Sequence, residues 1–286
     1  MAILWVLAAL VLAGIYAPVL AQMARIWWTD PYAGHGMFVP AFSAFFFWAD
    51  RDRLRAGSGQ MDPGGLLVIL LALGTLMLGR WAESLLVQGV SVVIAAAGMV
   101  FWGFGARYLR RTAFPVGFLL FMVPLPRQVV DVVTLNLQVF AARFAGAVLG
   151  LLDIPFYQSG VLIELPTITL EVAEVCNGLR FLMALLVLTL AFAQVSQRSL
   201  PRKLLLVTSA IPSAILANAV RVATIAVAVH YIGPQMASGF IHNFIAKAVW
   251  VLTLIPLAAL GLLLRRGGGA PDARSSSGVG ISLQRL

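Results

Sequence analysis

Apolar runs about as long as a bilayer's hydrocarbon core is thick recur along this chain, and they limit what it can fold into. A helix needs about 20 consecutive, mostly apolar residues to cross that core. MAILWVLAALVLAGIYAPVLAQ at the start and FLMALLVLTLAFA at residues 181–193 are two such runs. Hydrophobic residues make up 61% of the chain and charged ones 11%, a balance foreign to soluble domains. A mean hydropathy of +0.95 agrees with that exclusion. The expected fold is an all-α polytopic membrane protein. The first run has no basic segment before it and is too long for a signal-peptide core, so it reads as a retained membrane helix.

The pattern predicts about eight transmembrane helices, at 2–22, 34–49, 64–80, 85–105, 112–124, 175–195, 204–231 and 239–264. The net charge of +9 would suit a nucleic-acid binder, but its distribution does not. Basic residues gather in segments between or after the runs: Arg51, Arg53 and Arg55; Arg107, Arg110 and Arg111; Arg198, Arg202 and Lys203; Arg265, Arg266, Arg274 and Arg285. Eight spans put all four segments and the N-terminus on one side, the cytoplasmic side by the positive-inside rule. No nucleic-acid partner is expected; the lipid bilayer is. Segment 128–152 is interrupted by Asp131, Asn136, Gln138 and Arg143, and reads as a helix lying along the outer interface. Next, IPFYQSGVLIELPTITLEV at 154–172 is rich in β-branched residues around Gly160 and Pro166. It predicts a short β-like hairpin outside the membrane. Residues 1–264 read as a single catalytic membrane domain, and the Gly/Ser-rich 265–286 as a disordered cytoplasmic tail.

This topology places three reactive groups on the outer side. Cys176, the one cysteine, opens the span at 175–195 in EVAEVCNGLR. Asn218 and Arg221 lie one turn apart in NAVRVA, and His242 falls in the first turn of the last span, in GFIHNF. A helix N-terminus and a nearby cation favour the thiolate of a cysteine. An imidazole exchanges protons near neutral pH. A guanidinium donates several hydrogen bonds to an oxyanion or a carboxylate. Together they suit acyl transfer through a thioester. Taken singly, the bland readings hold: a lone cysteine is usually an apolar packer, and a histidine at a helix end an interfacial residue. Arg221 is different, since an intramembrane charge points to function by default. Arg180 is either a structural partner of Glu174 or a substrate contact, and Lys247 reads as snorkelling outward. One cysteine allows no internal disulfide or thiolate cluster, and three histidines without HExxH offer no metal-ligand spacing, so no cofactor or metal is expected.

Around these residues the chain resembles the exosortase/archaeosortase family of membrane cysteine transpeptidases, on its bacterial branch. The resemblance rests on VAEVCNGLRFL, NAVRV and IHNF in that order, and extends to YAGHGMFVPAFSAFFFWADRDRL at 32–54. It implies a nucleophilic Cys176, a catalytic Arg221 and a third catalytic residue at His242. The residues around them, Glu174, Asn177, Arg180, Asn218 and His35, become supporting or substrate-binding candidates. It implies as partners exported proteins ending in a short Pro-Glu-Pro-type motif, a membrane helix and a basic cluster, with an acceptor nucleophile of unknown identity. Family members often accompany exopolysaccharide production. The expected location is the bacterial inner membrane, with the site on the periplasmic side. Many members have Ser where Asn177 stands and a small residue where Lys247 stands. His35, in GHG, fits either a direct role or a tight turn, and Glu164 and Glu171 fit exposed carboxylates or partners of His242. The competing class is a transporter or flippase that binds an anionic substrate through Arg221 and His242, although no repeat of the kind such folds carry is present.

Overall fold

A computed structural model describes residues 2–51, 61–166, 168–172, 178–237 and 239–266, with only the backbone of Ala2, Ile241, His242, Asn243 and Ala246. The chain divides into two compact units, Met1–Arg127 and Gln128–Leu286.

The first unit contains α1 (Ala2–Thr29), α2 (Val39–Ala49), α3 (Gly64–Trp81), α4 (Leu85–Arg111) and α5 (Ala113–Phe118). Helices α3 and α4 form a hairpin, with Ser84 capping α4 by accepting from the Val87 amide. Lipid supplies no hydrophobic drive between helices, so small residues that let backbones approach do much of the work. Gly65 is such a residue: a Cβ there would lie 2.1 Å from the Trp102 nitrogen. Helix α1 runs antiparallel to α4, with the Trp5 indole donating to the Met99 carbonyl (3.1 Å) and Tyr16 to that of Ser91 (3.3 Å). Helix α2 runs antiparallel to α5: Ser43 donates to the Pro115 carbonyl (2.8 Å), and the ring of Phe46 meets that of Phe114 edge-on at 5.0 Å. This pairing sets Arg51, just past α2, at the same end as Arg110 and Arg111.

The expected spans at 34–49 and 112–124 are not long helices. The first is a 3₁₀ turn, Gly34–Met37, followed by the 11 residues of α2. The second is the six-residue α5 and a 3₁₀ turn, Leu119–Met122. At 1.5 Å per residue α2 is about 17 Å long, roughly half the hydrocarbon thickness.

The second unit contains α6 (Arg127–Leu151), β1 (Tyr157–Ser159), β2 (Leu162–Glu164), β3 (Thr169–Glu171), α7 (Leu179–Ser196), α8 (Leu200–Ile232) and α9 (Gly239–Arg266). Helix α6 is continuous over 25 residues, so the segment expected at the interface has the length and composition of a span. Among the described residues seven helices have that length and composition, against the eight expected. The expected hairpin is a three-stranded antiparallel sheet in the order β1–β2–β3. Its third strand follows from the turn at Leu165–Ile168, whose two end residues exchange backbone hydrogen bonds.

The sheet packs through Ile163 and Val172 onto Val222, Ala226 and Val229 of α8, with Ala142, Ala145 and Leu149 of α6 completing the core. At the other end of α8, Lys203 donates to Gln194 of α7 (2.6 Å), so the two helices form an antiparallel hairpin. The Gln197 amide donates to the Gly261 carbonyl of α9 (2.6 Å) in the same region. The basic residues between α7 and α8 and those closing α9 therefore share the end of this unit opposite the sheet.

Replacing Gly65 by Ala should force α3 and α4 apart and lower stability by about 1–3 kcal/mol, the usual cost of overpacking. Gly74, with nothing within 4 Å of its Cβ position, should accept Ala without loss. Thermal unfolding of the two purified variants compares them; equal melting would refute the close approach at Gly65.

Candidate active site

Helix α8 carries the site's two described polar groups. It starts behind Ser199 with Pro201 in its first turn, and ends at Gly233 (φ 128°) before Pro234. Pro212 lies inside it and removes one backbone donor. Asn218 is 4% exposed and Arg221, one turn on, is half-buried; each has a polar or electrostatic partner. From Lys203 to Arg221 is about 27 Å of helix, close to the ~30 Å of a hydrocarbon core.

The segment that brings in the nucleophile candidate meets this turn directly. Gly178 caps the N-terminus of α7 in the left-handed region (φ 80°, ψ −16°), where only glycine is free of strain. Its Cα faces Asn218 so closely that a Cβ would lie 3.0 Å from the Asn218 amide. The chain two residues after Cys176 is thereby held against the Asn218–Arg221 turn. Sequence reasoning passed over Gly178; a lone glycine before an apolar run was its only signal.

Cys176, Glu174 and Asn177 lie outside the described residues. His242 is placed by its backbone alone, in the first turn of α9. That turn follows the 3₁₀ turn Pro234–Ala237, whose Met236 is buried in the core under the sheet. Leu179 is buried whereas Arg180 is exposed. Glu164, Glu171 and Lys247 are exposed as well. An open apolar cavity of about 190 Å³ lies between the sheet and α8, lined among others by Leu170, Val172, Val222, Ile225 and Ala237.

A family model described as transmembrane exosortase (Exosortase_EpsH) matches residues 27–262. The chain belongs to that family. Exosortases are membrane cysteine transpeptidases that process C-terminal sorting signals. No curated protein and no solved structure matches the chain.

The exosortase match also covers His35, which lies in the first unit. Its ring hydrogen-bonds the backbone of Phe121 and Tyr32, and burial outweighs those bonds to push its pKa below the ordinary value. The turn around it is tight. Trp27 donates to the Met122 carbonyl (2.8 Å), and a Cβ on Gly36 would lie 2.5 Å from the Trp27 indole nitrogen. These contacts build the turn that presents His35.

Gly178→Ala should lower stability by about 1–2 kcal/mol through its left-handed backbone alone, and should slow substrate processing. Adding Asn218→Ala should relieve the steric contact but not the backbone strain, so stability recovers only in part. Melting curves of the single and double variants measure this; a Gly178→Ala protein as stable as the wild type would contradict the geometry.

Proposed function

We propose that this exosortase cleaves the C-terminal sorting signal of exported proteins at the outer face of the bacterial inner membrane, through a thioester on Cys176. The observation that supports the reading is the packing of Gly178, two residues after Cys176, on Asn218 in the turn bearing Arg221.

The Cys176 thiolate attacks the carbonyl carbon of the scissile peptide, and the carbonyl electron pair moves onto oxygen. Arg221 stabilises that oxyanion with its fork of donors. Collapse breaks the C–N bond, the leaving amine takes a proton from His242, and the acyl group remains on sulfur. An acceptor nucleophile then gives up its proton to His242 and takes the acyl group, releasing the thiolate. Asn218 orients the guanidinium. Glu174, Asn177 and Arg180 act as supporting or substrate-binding residues for a substrate that carries a Pro-Glu-Pro-type motif, a membrane helix and a basic end.

Orientation follows from charge. In each unit, basic clusters gather at one end, and the positive-inside rule makes that end cytoplasmic. The sheet and Arg221 lie at the opposite end of their unit, where exported proteins arrive. Helix α6 rests along the outer surface in this reading. Asp131 and Arg143 are exposed on it, and a lipid-facing charge at mid-bilayer costs about 2.5–3.5 kcal/mol on translocon scales. Residues 1–264 act as one catalytic domain, with the remainder a cytoplasmic tail.

Reporter fusions should place residues 153–170 outside and 106–111 inside. A cytoplasmic 153–170 would separate the site from any exported substrate and end this reading.

Cys176→Ala should abolish processing of a co-expressed tail-anchored reporter without loss of membrane insertion. Arg221→Lys keeps the charge but loses the fork, and turnover should fall roughly 10²–10³-fold, the value of a lost oxyanion donor. Arg221→Ala should do no better, and Asn218→Ala should cost less. Normal processing by Cys176→Ala would instead return the chain to the transporter class. Normal processing by Arg221→Lys would mean that a point charge suffices.

A further inference from the structure

Strand β3 is the edge of the sheet among the described residues, and its backbone divides cleanly between two sides. Ile168 exchanges hydrogen bonds with Leu165 (2.9 and 3.3 Å), and the Val172 amide donates to Val161 (3.0 Å). Residues 168 and 172 thus face β2, and alternation gives Leu170 the same role. The amides and carbonyls of Thr169 and Glu171 therefore point to the open edge, where unpaired groups form a template for another strand. The side chains divide likewise. Ile168, Leu170 and Val172 turn inward and line the 190 Å³ cavity, which Val222, Ala226 and Ala237 close from the other side. An apolar cavity of about 150 Å³ accepts a benzene-sized group, so this one has room for a branched or aromatic side chain.

Continuity and charge narrow the occupant. The cavity borders the proposed site at Val222, the neighbour of Arg221, and its lining residue Val172 precedes Cys176 by four positions in the sequence. On the outward face, Glu171 lies on β3 itself and Glu164 opposite Thr169 on β2, both exposed. A strand added here would set its outward side chains beside those carboxylates, which favour a basic neighbour and disfavour an acidic one.

Resting on the sorting-peptidase reading above, we propose that the substrate docks beside the nucleophile as a fourth strand on β3. An extended segment next to its cleavage motif pairs with the amides and carbonyls of Thr169 and Glu171. Its inward apolar side chain fills the cavity, and its outward positions are neutral or basic. Main-chain pairing supplies affinity and the cavity supplies selectivity, the usual division in strand addition.

The test uses the full-length protein in detergent. Its probe is a purified reporter with a soluble domain, a Pro-Glu-Pro motif, a membrane helix and a basic cluster. Thr169→Pro removes the outward amide donor at a position whose own amide takes no part in the β2 pairing; Ala237→Leu narrows the cavity. Each should raise KM about two- to tenfold, the equivalent of one lost hydrogen bond, with kcat unchanged. Tyr157→Ala, on the far strand, should match the wild type. Glu171→Lys should reverse the preference between reporters carrying Lys or Glu in the segment before the motif. As a check that does not depend on turnover, p-benzoylphenylalanine at Glu171, on the outward face of β3, should crosslink that segment in a Cys176→Ala background. Unchanged KM in both variants, with no crosslink, overturns the strand-edge site even while Cys176-dependent processing still supports the peptidase reading. Processing that survives Cys176→Ala overturns the peptidase reading itself.

Discussion

Helix α8, 33 residues from Leu200 to Ile232, is longer than a bilayer's hydrocarbon is thick, and the second unit is organised around that excess. In the proposed orientation Lys203 lies at the cytoplasmic surface, and the helix reaches the outer one near Arg221 and continues past it. Val222, Ala226 and Val229 on that last stretch are apolar and would face water unless covered. The sheet covers them with Ile163 and Val172, and α6 closes the same core with Ala142, Ala145 and Leu149. A sheet fits that position because its edge groups can meet water, whereas within hydrocarbon an open edge has no partner.

The two units use close backbone approach for different ends. In the α3–α4 hairpin, Gly65 lets two helices touch where lipid offers no hydrophobic drive. At Gly178 the approach is to a polar side chain, Asn218, and the left-handed backbone turns the chain into α7 at that point. One glycine thus sets both the start of α7 and its close approach to α8. Such a junction is sensitive to any added side chain, since the contact and the backbone would be disturbed together.

The depth of Arg221 bears on its chemistry. A guanidinium at mid-bilayer would be held by the cost of its own burial, and a substrate would have to be drawn down to it. In the proposed orientation it lies near the boundary, hydrated on one side and facing low dielectric on the other, where a donor to an oxyanion counts for more than it does in water. The proposed substrate, part membrane helix and part exported chain, bends at that same level.

Much of this was legible in the sequence. Long apolar runs announce helices because hydrocarbon leaves the backbone no other local partner, and seven of the described helices have the required length. The order of Cys, Arg and His motifs pointed to the exosortase family, to which the chain belongs. That Asn218 and Arg221 share one face of a helix followed from their spacing alone. Composition did not reveal where a run stops being helix: GHG and the prolines near 115 and 124 break two apolar stretches into short pieces, and mean hydropathy does not register those breaks. The third strand, the cavity beneath it and the contact of Gly178 with Asn218 were decided by tertiary structure. Each depends on residues distant in the chain meeting across a core, whereas periodicity reports only which face of its own element a residue occupies.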